Sequence, residues 1–172
     1  LDLSNVLSGP FCGCQLAHLG AEVIKIEVPN RGDLARQLGL DVELNQKLMG
    51  ATFLAQNSGK RSITINLKSE EGVAVFKSLV TTADVIVENF RPGVMDRLGV
   101  GYEVLKNLNA DLVYCAISGF GQEGPLKSRP AYDQIIQGMS GTMSITGDAE
   151  TAPLRVGFPI ADTIGGMTAA FA

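Results

Sequence analysis

The feature that most constrains this chain is the alternation of short β-branched apolar runs with helix-forming stretches. The runs fall at residues 1–3, 21–27, 63–67, 84–88 and 112–117. Strands buried on both faces read as near-continuous apolar segments, because neither side meets water. Helical patterns are expected over 11–19, closed by Gly20, over 45–55, and from Ser69 to about Val80. Ser69 is the N-cap there, with Glu70 and Glu71 in the first turn, where carboxylates oppose the helix dipole. Further short helices are expected at 92–98, 102–108 and 132–139, with a last helix capped by Asp162. Residues 142–146 read as extended and 156–160 as an apolar strand. Strands separated by helices predict an α/β fold with a Rossmann-like, mostly parallel sheet flanked by helices. Such sheets bind ligands beyond the carboxyl ends of their strands. Residues 5–9, 28–36, 88–93 and 118–124 are therefore expected at one edge.

Composition narrows the function. The 172 residues are 45% hydrophobic and 19% charged, with a net charge of −4. That is too apolar for disorder and lacks the basic excess of nucleic-acid binders. No apolar run approaches the ~18 residues of a membrane-spanning helix. Cys12, Cys14 and Cys115 are an odd number with no zinc-ligand spacing, which points to free thiols in a cytoplasm or organelle matrix. Residues 1–3 read as a strand already under way, and residues 165–172 stop inside a helical pattern. The chain is expected to be a segment of a longer protein.

His18 is the sole histidine, so neither a metal cluster nor a Ser-His-Asp arrangement is expected. No phosphate-loop or dinucleotide fingerprint occurs, and Gly119-Phe120-Gly121 is a lone G-x-G. Basic residues recur beside strand ends: Arg31, Arg36, Arg61, Lys68, Arg91 and Arg97. Asp162, between an apolar stretch and Thr163-Ile164-Gly165-Gly166, is expected to be held ionised by the helix N-terminus. The two glycines are expected to leave room for a bulky group. Such a carboxylate can attack an activated acyl carbon.

Seven segments in order then resemble one family: Val6-Leu7-Ser8-Gly9-Pro10, residues 19–27, Gly32-Asp33-Leu34-Ala35-Arg36, Lys60-Arg61-Ser62-Ile63, Val87-Glu88-Asn89-Phe90-Arg91-Pro92-Gly93, Ser118-Gly119-Phe120-Gly121 and Ala161-Asp162. Together they resemble the family III CoA-transferases, over essentially the whole chain. The resemblance implies that residues 1–172 are the N-terminal part of the large domain of an interlocked homodimer, lacking the small domain. It implies CoA transfer from a donor acyl-CoA to an acceptor carboxylic acid, with no metal, nucleic-acid or membrane partner. Asp162 matches the family's nucleophile, which passes through a mixed anhydride and an aspartyl-CoA thioester. Backbone N–H groups at the glycines would stabilise the oxyanions. Asn5, Val6, Ser8, Arg36, Ile65, Lys68, Asn89, Phe90 and Arg97 match CoA-contacting positions. Asn5 departs from the histidine of formyl-CoA transferase. Asp133 matches an acidic site residue of some transferases, and its other reading is an N-cap of its own helix. The related α-methylacyl-CoA racemases carry a histidine where this chain has Tyr132. Tyrosine is a poor acid/base substitute near neutral pH, so transfer is favoured over a racemase-like isomerase; a non-catalytic CoA-binding module is the other alternative.

Overall fold

A computed structural model describes all of residues 1–172. Four short strands form: β1 (Ile24–Glu27), β2 (Arg61–Thr64), β3 (Val85–Glu88) and β4 (Val113–Ala116). β1 pairs with β2 and β3 with β4, both in parallel. Residues 1–3 join the two pairs. Asp2 bridges Lys25 on one side and Val87 on the other. Asp2 N donates to Ile24 O, and Leu3 N to Val87 O. The spatial order is therefore β2, β1, residues 1–3, β3, β4. The chain winds outward to one side first and then to the other, so the topological switch point lies at the carboxyl end of residues 1–3.

The helices are α1 (Ser8–His18), α2 (Val42–Gln46), α3 (Ala51–Asn57), α4 (Glu70–Val80), α5 (Val94–Arg97), α6 (Tyr102–Lys106), α7 (Asp133–Met139) and α8 (Ile160–Phe171). No helix is long and apolar enough to cross a membrane. The main core joins Leu3, Ile26, Ile65 and Ile86 to Phe76 and Val80 of α4, Met95 of α5 and Leu105 of α6. Elsewhere α1 packs against both α8 and α3. α4 forms as expected, with Ser69 Oγ accepting from Gly72 N at 3.1 Å.

Several expectations are corrected. α1 begins at Ser8 rather than residue 11, because proline is tolerated in a first helical turn, where its missing N–H costs nothing. The single helix expected over 45–55 is two, α2 and α3, broken around Leu48 at φ 57°. There Gly50 runs against residues 35–38: its N–H donates to Arg36 O, and a Cβ would sit 2.7 Å from Leu38 O. Residues 142–146 are not extended. Thr142–Ile145 is a 3-10 turn, held by the Ser144 hydroxyl on Gly141 O and Thr146 on Thr142 O, local bonds that compete with a strand. Residues 156–159 form no strand.

The strands also hide charge. Ile24 and Ile26 face the core while Lys25, on the opposite side of β1, is only 1% exposed. Its ammonium meets Asp33 Oδ2 at 2.9 Å and Ser4 O at 2.8 Å. The Lys60 ammonium reaches Asp2 Oδ2 at 2.7 Å, Pro10 O at 2.7 Å and Asn57 Oδ1 at 2.8 Å. Burial pulls the Lys60 pKa down, opposed by Asp2. These two lysines tie residues 2–10 to the sheet from beneath.

Candidate active site

A cleft of about 360 Å³ opens at the switch point. Its walls come from residues 5–8, Asn89–Pro92, residues 117–119, residues 129–132 and the first two turns of α8, including Asp162 and Gly165. Two loops are clamped across it. Asn5 N donates to Asn89 Oδ1, and Asn89 Nδ2 donates back to Asn5 O, both at 2.8 Å. Val6 adopts φ 68°, a costly conformation for a β-branched residue. It is held by the bond from Val6 N to Asp33 Oδ1 at 3.0 Å. This strained turn feeds the N-terminus of α1, where the Ser8 and Gly9 amides have no acceptor within the chain.

Asp162 is the one carboxylate on the cleft wall. It is not the cap of α8 but its third residue, with Pro159 at the N-cap. Capping comes from another helix: Asp133 Oδ1 accepts Ala161 N at 2.7 Å and Asp162 N at 3.2 Å. The expectation that the helix end holds Asp162 ionised needs a correction of degree: its carboxyl is raised, but it still titrates below neutral pH. Burial, and then the negative charge of Asp133, push its carboxyl up to about 6.

The glycines divide their work. A Cβ on Gly166 would lie 2.3 Å from Ser8 O, so Gly166 lets α8 touch α1, while nothing lies within 4 Å of a Cβ on Gly165. Only Gly165 leaves space at the cleft. Both sit inside α8, where amide hydrogens belong to the helical ladder. They are not free oxyanion donors, and the unpartnered Ser8 and Gly9 amides are the donors nearest in kind.

The other expected residues fall in three groups. Asn5, Val6, Ser8, Asn89 and Phe90 line the cleft with Asp162. Lys68 and Arg97 share a second, open groove with Lys77. Arg36 and Ile65 line neither. Ile65 is in the core. Arg36 forms a two-point pair with Glu27, at 2.7 Å from Nε and 2.6 Å from Nη2, and lies 3.7 Å over the Phe53 ring. Arg61, at the opposite end of β2, pairs with Glu22. Arg91, Lys127 and Arg129 are the cations on the cleft. Lys25, Lys60 and Gln137 were missed, although the charge at alternate positions in Ile24-Lys25-Ile26-Glu27 is a visible signal.

The family model for CoA-transferase family III matches residues 1–172. The chain belongs to this family. It is 50% identical over 168 residues to the acetyl-CoA:oxalate CoA-transferase of Acetobacter aceti, covering 97% of this chain and 42% of that protein. It is 45% identical over 170 residues to the succinate–glutarate CoA-transferase of Agrobacterium fabrum, with the same coverage of 97% and 42%. A crystal structure of a CAIB/BAIF family protein from Brucella suis superposes with a TM-score of 0.90 at 43% identity, covering 98% of this chain and 45% of that one. The chain thus spans about two fifths of the length of these curated relatives. As a family III CoA-transferase chain, its short parallel strands and flanking helices are those of the expected large-domain fold.

Proposed function

We propose that the protein transfers CoA from a donor acyl-CoA to an acceptor carboxylic acid, with Asp162 as nucleophile. The observation that carries this reading is a half-buried carboxylate, alone of its kind on a cleft at the switch point. An Asp162 oxygen attacks the thioester carbonyl, the C–S bond breaks, and thiolate leaves a mixed anhydride on Asp162. The Asp162 carbonyl then accepts that thiolate and releases the donor acid as its carboxylate. The acceptor carboxylate attacks the resulting aspartyl thioester, thiolate leaves again, and its return to the acyl carbonyl frees Asp162. No proton is gained or lost overall. The gain is two exchanges between activated species in place of one hard transfer. A nucleophile near pKa 6 is about ten-to-one ionised at pH 7. The Ser8 and Gly9 amides are proposed as oxyanion donors.

The cleft residues Asn5, Val6, Ser8, Asn89 and Phe90 are proposed to flank the acyl-CoA, with Lys68 and Arg97 on its phosphates. Arg36 and Ile65 are proposed to shape that surface rather than to touch it through their polar or apolar tips. Tyr132, on the cleft wall where the related racemases carry a histidine, supports transfer over proton exchange at the α-carbon. Exposed Ile164, Met167 and Phe171 on α8 support further packing, proposed as the homodimer. The free thiols Cys12, Cys14 and Cys115 support a reducing compartment. The test is full-length protein given succinyl-, acetyl- or formyl-CoA and a set of dicarboxylic acids. Formation of the acceptor's CoA ester, lost in Asp162→Ala, is expected. Hydrolysis alone, or α-hydrogen exchange without any acceptor, would contradict the reading.

A further inference from the structure

Gln137 is a buried polar side chain without a part in the chemistry above. It lies one turn along α7 from Asp133 and is 1% exposed. Both ends of its amide are used. Nε2 donates to Asp133 Oδ2, and Oε1 accepts Val156 N at 2.8 Å. The other oxygen of Asp133 takes the Ala161 and Asp162 amides. A continuous chain of bonds therefore runs from the segment before α8, through Gln137 and Asp133, to the backbone of Asp162.

A glutamine on the buried face of a helix is costly unless each end of its amide finds a partner. Here the partners are the Asp133 carboxylate, which caps the helix of the nucleophile, and the backbone N–H of Val156 in the segment before that helix. A buried carboxylate likewise needs donors on both oxygens. No lysine or arginine pairs with Asp133, so the second oxygen depends on Gln137.

We propose that Gln137 is a positioning residue for Asp162: it fixes the Asp133 carboxylate, which in turn holds the first turn of α8 and the nucleophile against the cleft. This rests on the reading of Asp162 as nucleophile.

The test uses full-length protein and two variants. Gln137→Met keeps the volume and removes both bonds. Gln137→Glu can replace both only when protonated, its O–H donating to Asp133 and its carbonyl accepting Val156 N. The ionisable groups around it are Asp133 on its own helix, Asp162 on α8 and Arg155 beside Val156. The Thr142–Ile145 turn carries none. In Gln137→Met, amide exchange at Val156, Ala161 and Asp162 is expected to quicken. Its kcat is expected to fall about tenfold or more, with KM for acyl-CoA within about twofold. In Gln137→Glu, the ratio of its kcat to that of the unsubstituted protein is expected to climb as pH falls. Unchanged exchange and kcat in Gln137→Met, or a pH-independent ratio in Gln137→Glu, would overturn the proposal. Absence of transfer by the unsubstituted protein would overturn the functional reading instead, while exchange at the three amides still reports on Gln137.

Discussion

Asp133 Oδ1 accepts the backbone N–H of Asp162 at 3.2 Å, so one carboxylate serves as the helix cap of the other. The same oxygen takes Ala161 N at 2.7 Å. Asp133 thereby positions Asp162 and, through its charge, raises its pKa after burial has done so. Asp133→Asn keeps an acceptor and removes the charge. Its acid limb of activity is expected to move to lower pH, with about 1–3 kcal/mol of stability lost, because the new amide NH2 faces the Gln137 Nε2 donor where Asp133 Oδ2 had accepted. A pH–rate profile of this variant checks it, and an unmoved limb would count against the coupling.

With Asp162 as the proposed nucleophile, attack in the unsubstituted protein requires its ionised form. Activity is therefore expected to fall as pH drops through about 6, approaching tenfold per unit. Stability runs the other way. A folded pKa above the ordinary carboxylate value contributes stability that is full below that value and lost as pH rises through about 6. Asp162→Asn is thus expected to melt higher than the parent at neutral pH, by on the order of 1 kcal/mol after allowing for partial exposure, and to lose that advantage below pH ~4. Thermal melts at the two pH values read this directly.

Gly165 and Gly166 are adjacent yet should respond oppositely to alanine. Gly166→Ala puts a methyl 2.3 Å from Ser8 O, which must part α8 from α1 at a cost of about 2 kcal/mol or more. Gly165→Ala meets nothing within 4 Å and should gain up to about 1 kcal/mol of helix propensity. Its methyl enters the cleft beside Asp162, so activity is expected to drop while stability holds. Denaturant midpoints with paired assays separate the two effects.

Glu27 and Arg36 form the structural ion pair most open to test. Burial alone would raise the Glu27 carboxyl, but bonds from Arg36, Ser62 and Asp33 N overcome it and hold the pKa at about 2. That contribution is present above the ordinary carboxylate range and lost as pH falls toward about 2. Glu27→Ala, which strands the guanidinium, is expected to cost about 3 kcal/mol. Arg36→Lys keeps the charge but loses the two-point pairing and the stacking on Phe53, and should cost about 1–2 kcal/mol. Urea unfolding of both variants checks the order.

The layout of the fold was legible because strand and helix periodicities are local. Parallel order and the edge carrying residues 5–9 and 88–93 followed from the βα alternation. What escaped was tertiary. Nothing near Asp162 in sequence reveals that its helix is capped by Asp133, 29 residues earlier. Nothing local to Gly166 reveals the Ser8 carbonyl against it. The burial of Lys25 and Lys60 was not legible, because their acceptors at Asp33 and Asp2 come from other turns of the winding. Residues 142–146 misled for the opposite reason: hydroxyl-to-backbone bonds outweighed β propensity at a position with no neighbouring strand.

The central claim is a covalent intermediate on Asp162. Full-length protein should be incubated with acyl-CoA, quenched with hydroxylamine, and the peptide bearing Asp162 sequenced by mass spectrometry. A hydroxamate on Asp162 is expected, one that requires acyl-CoA and vanishes in Asp162→Ala together with turnover. An unmodified Asp162, with Asp162→Ala still turning over at the parent rate, would contradict it.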